Sequence, residues 1–319
     1  MNDLDPSECR IRTPEHAERI ALYEFLIGVF PVDRPVFREM VERGRRFYTW
    51  TPYALYHGGE LVANVSLMPM QIWLNGQPRP IVGIASVATR ERFRRRGVAR
   101  HLLRHALGIV DERRAPAVLF TELPAVYEGL GFETIPQTYR AASARAFDWG
   151  DRPEPCELVG TFGAEHLGAM ARLYDRTPNY DGKVVRDAEY WQLYEMLFHA
   201  YARFKLLVCR RAGRMVGYAR VEEEADRLLV SELCGEPSDV EVVERLLASA
   251  AAYARRIERD VISFAMPPGH FAESIVRARG VAFGPEPPGA PRESVMVRPA
   301  AGQPLGPLAR VSWPLADKF

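Results

Sequence analysis

The sequence predicts an α/β (α+β) fold of two tandem domains, each a mixed, mostly antiparallel sheet flanked by helices. Three observations predict it. At 319 residues the chain is long for one domain and comfortable for two. The first half reads as strand, helix pair, hairpins, then strand–helix–strand, and the second half weakly repeats that order. Between them, Arg140 to Glu154 loses strand character and Asp151-Arg152-Pro153-Glu154-Pro155 breaks the chain. The expected division is 1–148, 149–298 and a tail of 299–319.

The elements follow from local patterns. Residues 8–14 read as a first strand, and Ile20, Tyr23, Leu26, Ile27 and Phe30 recur at helical spacing over 16–30. Pro35 starts a second helix with Phe37, Met40 and Val41 on its apolar side. Residues 50–57 and 61–67 form a hairpin around His57-Gly58-Gly59-Glu60. A second hairpin, 71–74 against 80–89, straddles Asn75-Gly76, a strong turn signal. In the second half, helices are expected at 164–175 and 187–200, then strands at 205–210, 215–222 and 227–234. A long amphipathic helix at 240–257, a strand at 261–266, a helix at 270–278 and a closing strand at 294–298 complete the repeat.

The chemistry concentrates between Ile84 and Phe132. A short apolar strand, Ile84–Thr89, runs into a cationic turn that closes on Gly97-Val98-Ala99. Behind it Leu102, Leu103, Ala106, Leu107 and Val110 mark a helix, and a second short strand lies at 116–121. Strand, Arg/Gly turn and helix make an anion site. The first N–H groups of a helix have no internal acceptor and carry the positive end of its dipole. Gly97 admits close backbone approach, Ala99 keeps it open, and Arg94, Arg95 and Arg96 add full charges. A pyrophosphate fits this description.

The pattern resembles the GNAT acyltransferase superfamily. Arg94, Gly97 and Ala99 meet its Arg/Gln-x-x-Gly-x-Gly/Ala signature, and Tyr127, Gly131 and Phe132 meet its Tyr-x-x-x-Gly-Phe. Val87-Ala88-Thr89 before three arginines looks like the Eis-like (enhanced intracellular survival) branch, as does 172–191 in the second half. The resemblance implies that the strands at 84–89 and 118–121 splay around a thioester. Val87, Ala88 and Thr89 would line the pantetheine arm, with Arg94, Arg95, Arg96, Gly97, Val98, Ala99 and Arg100 at the pyrophosphate. Tyr127 would be the general acid. For the base, the resemblance offers the C-terminal carboxylate, here on Phe319; Glu122 at the end of the splayed strand and a water chain compete with it. Eis-like enzymes usually continue into a sterol-carrier-like third domain, so this chain reads as a shortened relative, nearer in layout to mycothiol synthase.

The second copy lacks this chemistry. Its corresponding turn, Gly235-Glu236-Pro237-Ser238-Asp239, is acidic, and Pro237 removes a backbone donor. A net charge of +1 argues against a nucleic-acid binder. No apolar run approaches the ~20 residues of a membrane span, and the polar N-terminus carries no secretory signal. Cys9, Cys156, Cys209 and Cys234 are scattered, as suits reduced thiols rather than a disulfide frame or metal site. The function expected is therefore a cytoplasmic N-acetyltransferase with acetyl-CoA as co-substrate, no metal, and a primary amine of a small molecule or peptide as acceptor. Eis-like relatives add a homo-oligomer to the expectation. A mycothiol-synthase-like acyltransferase and a non-catalytic CoA-binding module are the competing readings.

Overall fold

The structure, a computed structural model, describes residues 8–31, 33–42, 50–137, 139–149, 154–161, 163–267, 269–285, 293–311 and 313. The first half runs β1 (Cys9–Arg12), α1 (Arg19–Val29), α2 (Arg34–Glu42), β2 (Thr51–His57), β3 (Glu60–Leu74) and β4 (Gln77–Thr89). Then come α3 (Val98–Glu112), β5 (Ala117–Thr121), the single turn α4 (Ala125–Glu128), β6 (Glu133–Ile135) and β7 (Arg140–Ser143). Asn75 and Gly76 both take positive φ, 51° and 73°, as a tight hairpin turn matched to strand twist requires. The strands expected at 61–67 and 71–74 are one, the 15-residue β3. Pro69 breaks the pattern on paper only. It pairs with Val82, whose N–H turns away to the Pro116 carbonyl at 2.9 Å, so the donor that proline lacks is not needed there.

The second half contains β8 (Glu157–Val159), α5 (Ala164–Arg176), α6 (Ala188–Ala200), β9 (Phe204–Arg211), β10 (Arg214–Glu223) and β11 (Arg227–Gly235). It continues with α7 (Val240–Arg256), β12 (Val261–Phe264), α8 (Phe271–Ala278), β13 (Gly284–Pro285) and β14 (Ser294–Arg298). The expected elements appear at nearly their expected bounds; α4, β6, β7, β8 and β13 are additions, all too short to show a periodicity.

The two sheets exchange strands. One has the order β1-β2-β3-β4-β5-β14-β6, the other β13-β7-β12-β11-β10-β9-β8. The closing strand expected in the second domain thus lies in the first sheet, with Thr121 opposite Ser294 and Ile135 opposite Val295. In return β7, from the stretch read as a fading boundary, enters the second sheet with Ser143 opposite Val261. The division 1–148 and 149–298 follows the chain, not the sheets. Its physical cause is edge satisfaction: β5 and β12 would each present a row of unpaired backbone groups without the strand from the other half. Arg298, at the end of β14, also clasps Asp111 of α3 through two bonds of 2.7 and 2.9 Å.

Each sheet buries both faces. On one side of the first sheet, Leu102, Leu103, Ala106 and Val110 of α3 are fully buried against Leu55, Val65, Leu67 and Ile84. At roughly 1.5–3 kcal/mol per buried leucine, this packing exceeds what α3 gains from its own propensity. The opposite face takes Leu22, Phe25 and Leu26 of α1, Val36, Phe37 and Met40 of α2, and Leu193 and Met196 of α6. The β3–β4 hairpin reaches the second half as well. Trp73 N–H donates to the Lys183 carbonyl (2.8 Å), Gly182 N–H to Trp73 (2.9 Å) and Val185 N–H to Gln71 (2.8 Å). Cys156 and Cys209, far apart in sequence, are neighbours beside the β8–β9 pair, both as free thiols.

Candidate active site

β4 and β5 run parallel and pair only at Val82–Ala117 and Gly83–Val118. Beyond those pairs β4 continues along β3, while β5 continues along β14, so Ile84–Thr89 and Leu119–Thr121 diverge as the two walls of a wedge. The expected splay is present, at the expected residues. Its β4 wall is kinked by a bulge: Ala85 pairs with Ser66 and Ala88 with Asn64, leaving Ser86 and Val87 opposite the single residue Val65. Ser86 takes φ 49° there. The bulge is invisible in the sequence, because nothing in Ala-Ser-Val-Ala asks for a left-handed residue.

At the end of the β4 wall the chain makes the cationic turn. A short 3-10 helix, Glu91–Phe93, tucks Phe93 inward, and Arg90 Nε donates to the Leu61 carbonyl at 2.6 Å. Glu60 pairs with both Arg90 and Arg92. Those two arginines are therefore engaged in holding the turn. Arg94 Nε donates to the Thr89 carbonyl at 3.2 Å, which ties the turn to the strand. Arg95, Arg96 and Arg100 stay exposed, and none of them forms an ion pair among the described residues. Arg95 at φ 61° and Gly97 at φ 77° are left-handed. α3 starts at Val98 and its first internal bond is His101 N–H to the Gly97 carbonyl (3.0 Å). The N–H groups of Val98, Ala99 and Arg100 are thus without helical acceptors. Arg100 reaches across toward Gly129, whose added Cβ would stand 3.6 Å from its guanidinium.

The far wall carries Tyr127. The one-turn α4 places it 8% exposed, edge-on to Phe132 at 6.0 Å. Its hydroxyl lies beside the side chain of Thr121, the last residue of β5, whose Oγ1 accepts the Leu123 N–H at 2.9 Å. Burial raises the Tyr127 pKa above its usual value, against the opposing pull of the Thr121 side chain. Thr121 is a residue of this wall that the sequence does not single out; the turn from β5 into α4 brings it beside the tyrosine. Of the other expected residues, Ala88 is buried and Val87 and Thr89 are half-buried on the β4 wall. Glu122, expected at the site as a cofactor-binding residue or a base, is exposed just beyond the end of β5. Phe319 lies outside the described residues. The last described stretch of the tail does approach the site: buried Trp313 packs edge-on to Phe120 of β5 at 6.2 Å and donates its N–H to Gln137 Oε1 at 2.9 Å.

The second sheet repeats the parting of a parallel strand pair, with an acidic turn at the helix start. β11 and β12 pair in parallel from Arg227–Val261 to Val230–Phe264 and then part. The cleft between them is lined by Tyr174, Thr177, Lys183, Glu232 and His270. Lys183, 2% exposed, donates to the carbonyls of Tyr174 (2.8 Å) and Thr177 (2.7 Å) and to Asn179 Oδ1 (3.1 Å). Glu232 accepts from Arg186, Tyr218 and Tyr194. At the helix start, Asp239 caps Val242 N–H at 3.4 Å and binds Arg211 at 2.8 and 3.2 Å. A carboxylate of the chain itself thus takes the position an anionic ligand would need.

Residues 10–135 match the family model described as an acetyltransferase (GNAT) domain. No curated protein matches the chain. Among solved structures, a GCN5-related N-acetyltransferase from Anabaena variabilis superposes with a TM-score of 0.66 at 16% identity, over 91% of this chain and 72% of that one. Eis1 from Mycobacterium abscessus gives 0.54 at 18%, over 91% and 73%. A tandem GNAT protein from the clavulanic acid biosynthesis pathway gives 0.50 at 14%, over 93% and 100%. At these identities the likeness is one of fold, and the fold is that of a tandem GNAT. No helix among the described residues is long and apolar enough to cross a membrane. No group of three or more potential metal ligands occurs among them either.

Proposed function

Since residues 10–135 of this chain are a GNAT acetyltransferase domain, we propose that the protein is an N-acetyltransferase working in the wedge of its first sheet. Acetyl-CoA is the donor, and a primary amine of a small molecule or peptide is the acceptor. The observation that carries this reading is the coincidence of three features. The wedge opens after Gly83 and Val118, the left-handed Gly97 starts a helix at one end, and the buried Tyr127 stands beside Thr121 at the end of β5.

In this reading the pyrophosphate meets the N–H groups of Val98–Arg100, with Arg95, Arg96 and Arg100 supplying charge. The pantetheine arm runs along Val87–Thr89 and sets the thioester between the walls. The neutral amine attacks the thioester carbon, the carbonyl oxygen becomes an oxyanion, and the C–S bond then breaks. Tyr127 gives its proton to the departing sulfur, so CoA leaves as a thiol. The amine's surplus proton passes to water at the mouth, where exposed Glu122 is the nearest carboxylate on the β5 wall. Tyr127 regains its proton from solvent, and the sum is acetyl-CoA plus amine giving amide plus CoA.

The test is a thiol-trapping assay of the intact chain with acetyl-CoA and a panel of polyamines, aminoglycosides and amino-terminal peptides. CoA release that depends on one of these amines is the expected result. Tight acetyl-CoA binding with no release above the amine-free rate across the panel would favour a non-catalytic CoA-binding module instead.

A further inference from the structure

Asn64 lies on β3, one pair from the bulge in the β4 wall, and is 0% exposed. Its Nδ2 donates to the carbonyl of Ser86 at 2.9 Å and to Ser66 Oγ at 3.1 Å. Both amide protons are used, which fixes the amide's orientation: turned over, its oxygen would face the Ser86 carbonyl. Oδ1 has no partner among the described residues. The surroundings on this face are apolar, with Ala88 directly opposite and Met68 further along the strand. A half-satisfied amide in such a place is a poor stabiliser of a core, since an apolar side chain of similar volume would avoid the orphaned oxygen. What it does accomplish is local. The left-handed Ser86 removes its own carbonyl from the ladder with β3, and Asn64 is the group that receives it.

We propose that Asn64 is a positioning residue for acyl transfer: by holding the Ser86 carbonyl it fixes the bulge, and the bulge sets the Ser86–Val87 backbone where the thioester lies. The proposal rests on the acyl-transfer reading above. Asn64 touches no reacting atom; it acts through the backbone of the β4 wall. The pyrophosphate groups at Gly97–Arg100 are on a different element and do not depend on it, so binding and chemistry should separate.

The test uses Asn64→Leu and Asn64→Asp in the full chain, with an amine that the wild type acetylates. In Asn64→Leu, kcat should fall about 10- to 100-fold, short of the ~10²–10³ of an oxyanion donor removed outright, with the KM for acetyl-CoA within about threefold. Asn64→Asp adds a signature that loss of folding does not produce. Its carboxylate cannot donate to Ser86 while its acid form can, so activity relative to wild type should rise severalfold from pH 8 to pH 6. Variants within twofold of wild-type kcat would overturn the proposal alone. So would a kcat loss matched by equal losses of acetyl-CoA affinity and melting temperature, or a flat activity ratio in Asn64→Asp. A wild type that acetylates no amine overturns the underlying reading and this proposal with it.

Discussion

Tyr127 meets two demands on a general acid for a thiolate leaving group: it keeps its proton at neutral pH and it sits at the wedge wall. Burial raises its pKa, so the proton is retained up to and beyond about 10, the ordinary phenol value. The sign follows directly. The acid form is present at low and neutral pH, and its contribution to turnover is lost only as pH rises through the raised pKa. Tyr127→Phe should therefore keep acetyl-CoA affinity, lower turnover roughly 10²–10³-fold, and remove that alkaline limb from the pH–rate profile. Turnover within twofold of wild type, measured where chemistry limits the rate, would make Tyr127 a packing residue. The groups legible in the sequence at this scale are those whose role is local: the arginine turn, Gly97 and the tyrosine frame. Thr121 and Asn64 were not legible, because Thr121 meets the tyrosine through the turn after β5 and Asn64 meets Ser86 through strand register and the bulge.

Among the elements, α8 shows how the second copy has turned its cleft to structural ends. His270 is its N-cap and accepts the Ala272 N–H through Nδ1 at 3.3 Å, which requires a neutral ring. Burial pulls its pKa down from 6.5 to about 4; Glu273 opposes that shift and Lys183 reinforces it. A depressed histidine adds stability that is complete above the unfolded value of 6.5 and is lost as pH falls toward 4. That window is worth up to about 3 kcal/mol. His270→Asn keeps a capping oxygen and removes the titration, so urea unfolding of the variant should lose less stability between pH 7 and pH 4 than wild type, by about 2–3 kcal/mol. Equal slopes would show that the acid sensitivity lies elsewhere. Helices and long strands were legible because their periodicity is intrinsic. β3 was split in reading because Pro69 is a breaker unless its neighbour's N–H is turned away, and that is a property of the pair, not of proline.

The whole molecule is bound together by the exchanged strands β7 and β14, which make each sheet incomplete without the other half of the chain. Heat should therefore unfold it in one calorimetric transition, with calorimetric and van't Hoff enthalpies in agreement; two resolved transitions would mean that the halves are independent. A fragment of residues 149–298 lacks β7 and carries β14 with no sheet to join, so it should not fold alone. The exchange was illegible because Arg-Ala-Ala-Ser carries almost no strand signal, and because alternation shows that 294–298 is a strand without saying whose edge it closes. The tandem order itself was legible, as was the acidic turn of the second copy, where Asp239 stands at the helix start. One wedge of the two is expected to bind the acyl donor, through the Gly97 turn. Isothermal titration of the intact chain with acetyl-CoA tests it most directly. One site per chain is expected, weakened at least about 100-fold by Gly97→Val, whose branched side chain opposes the left-handed φ of 77° and blocks the backbone approach, at little change in melting temperature. Two sites per chain, or undiminished binding in Gly97→Val, would contradict it.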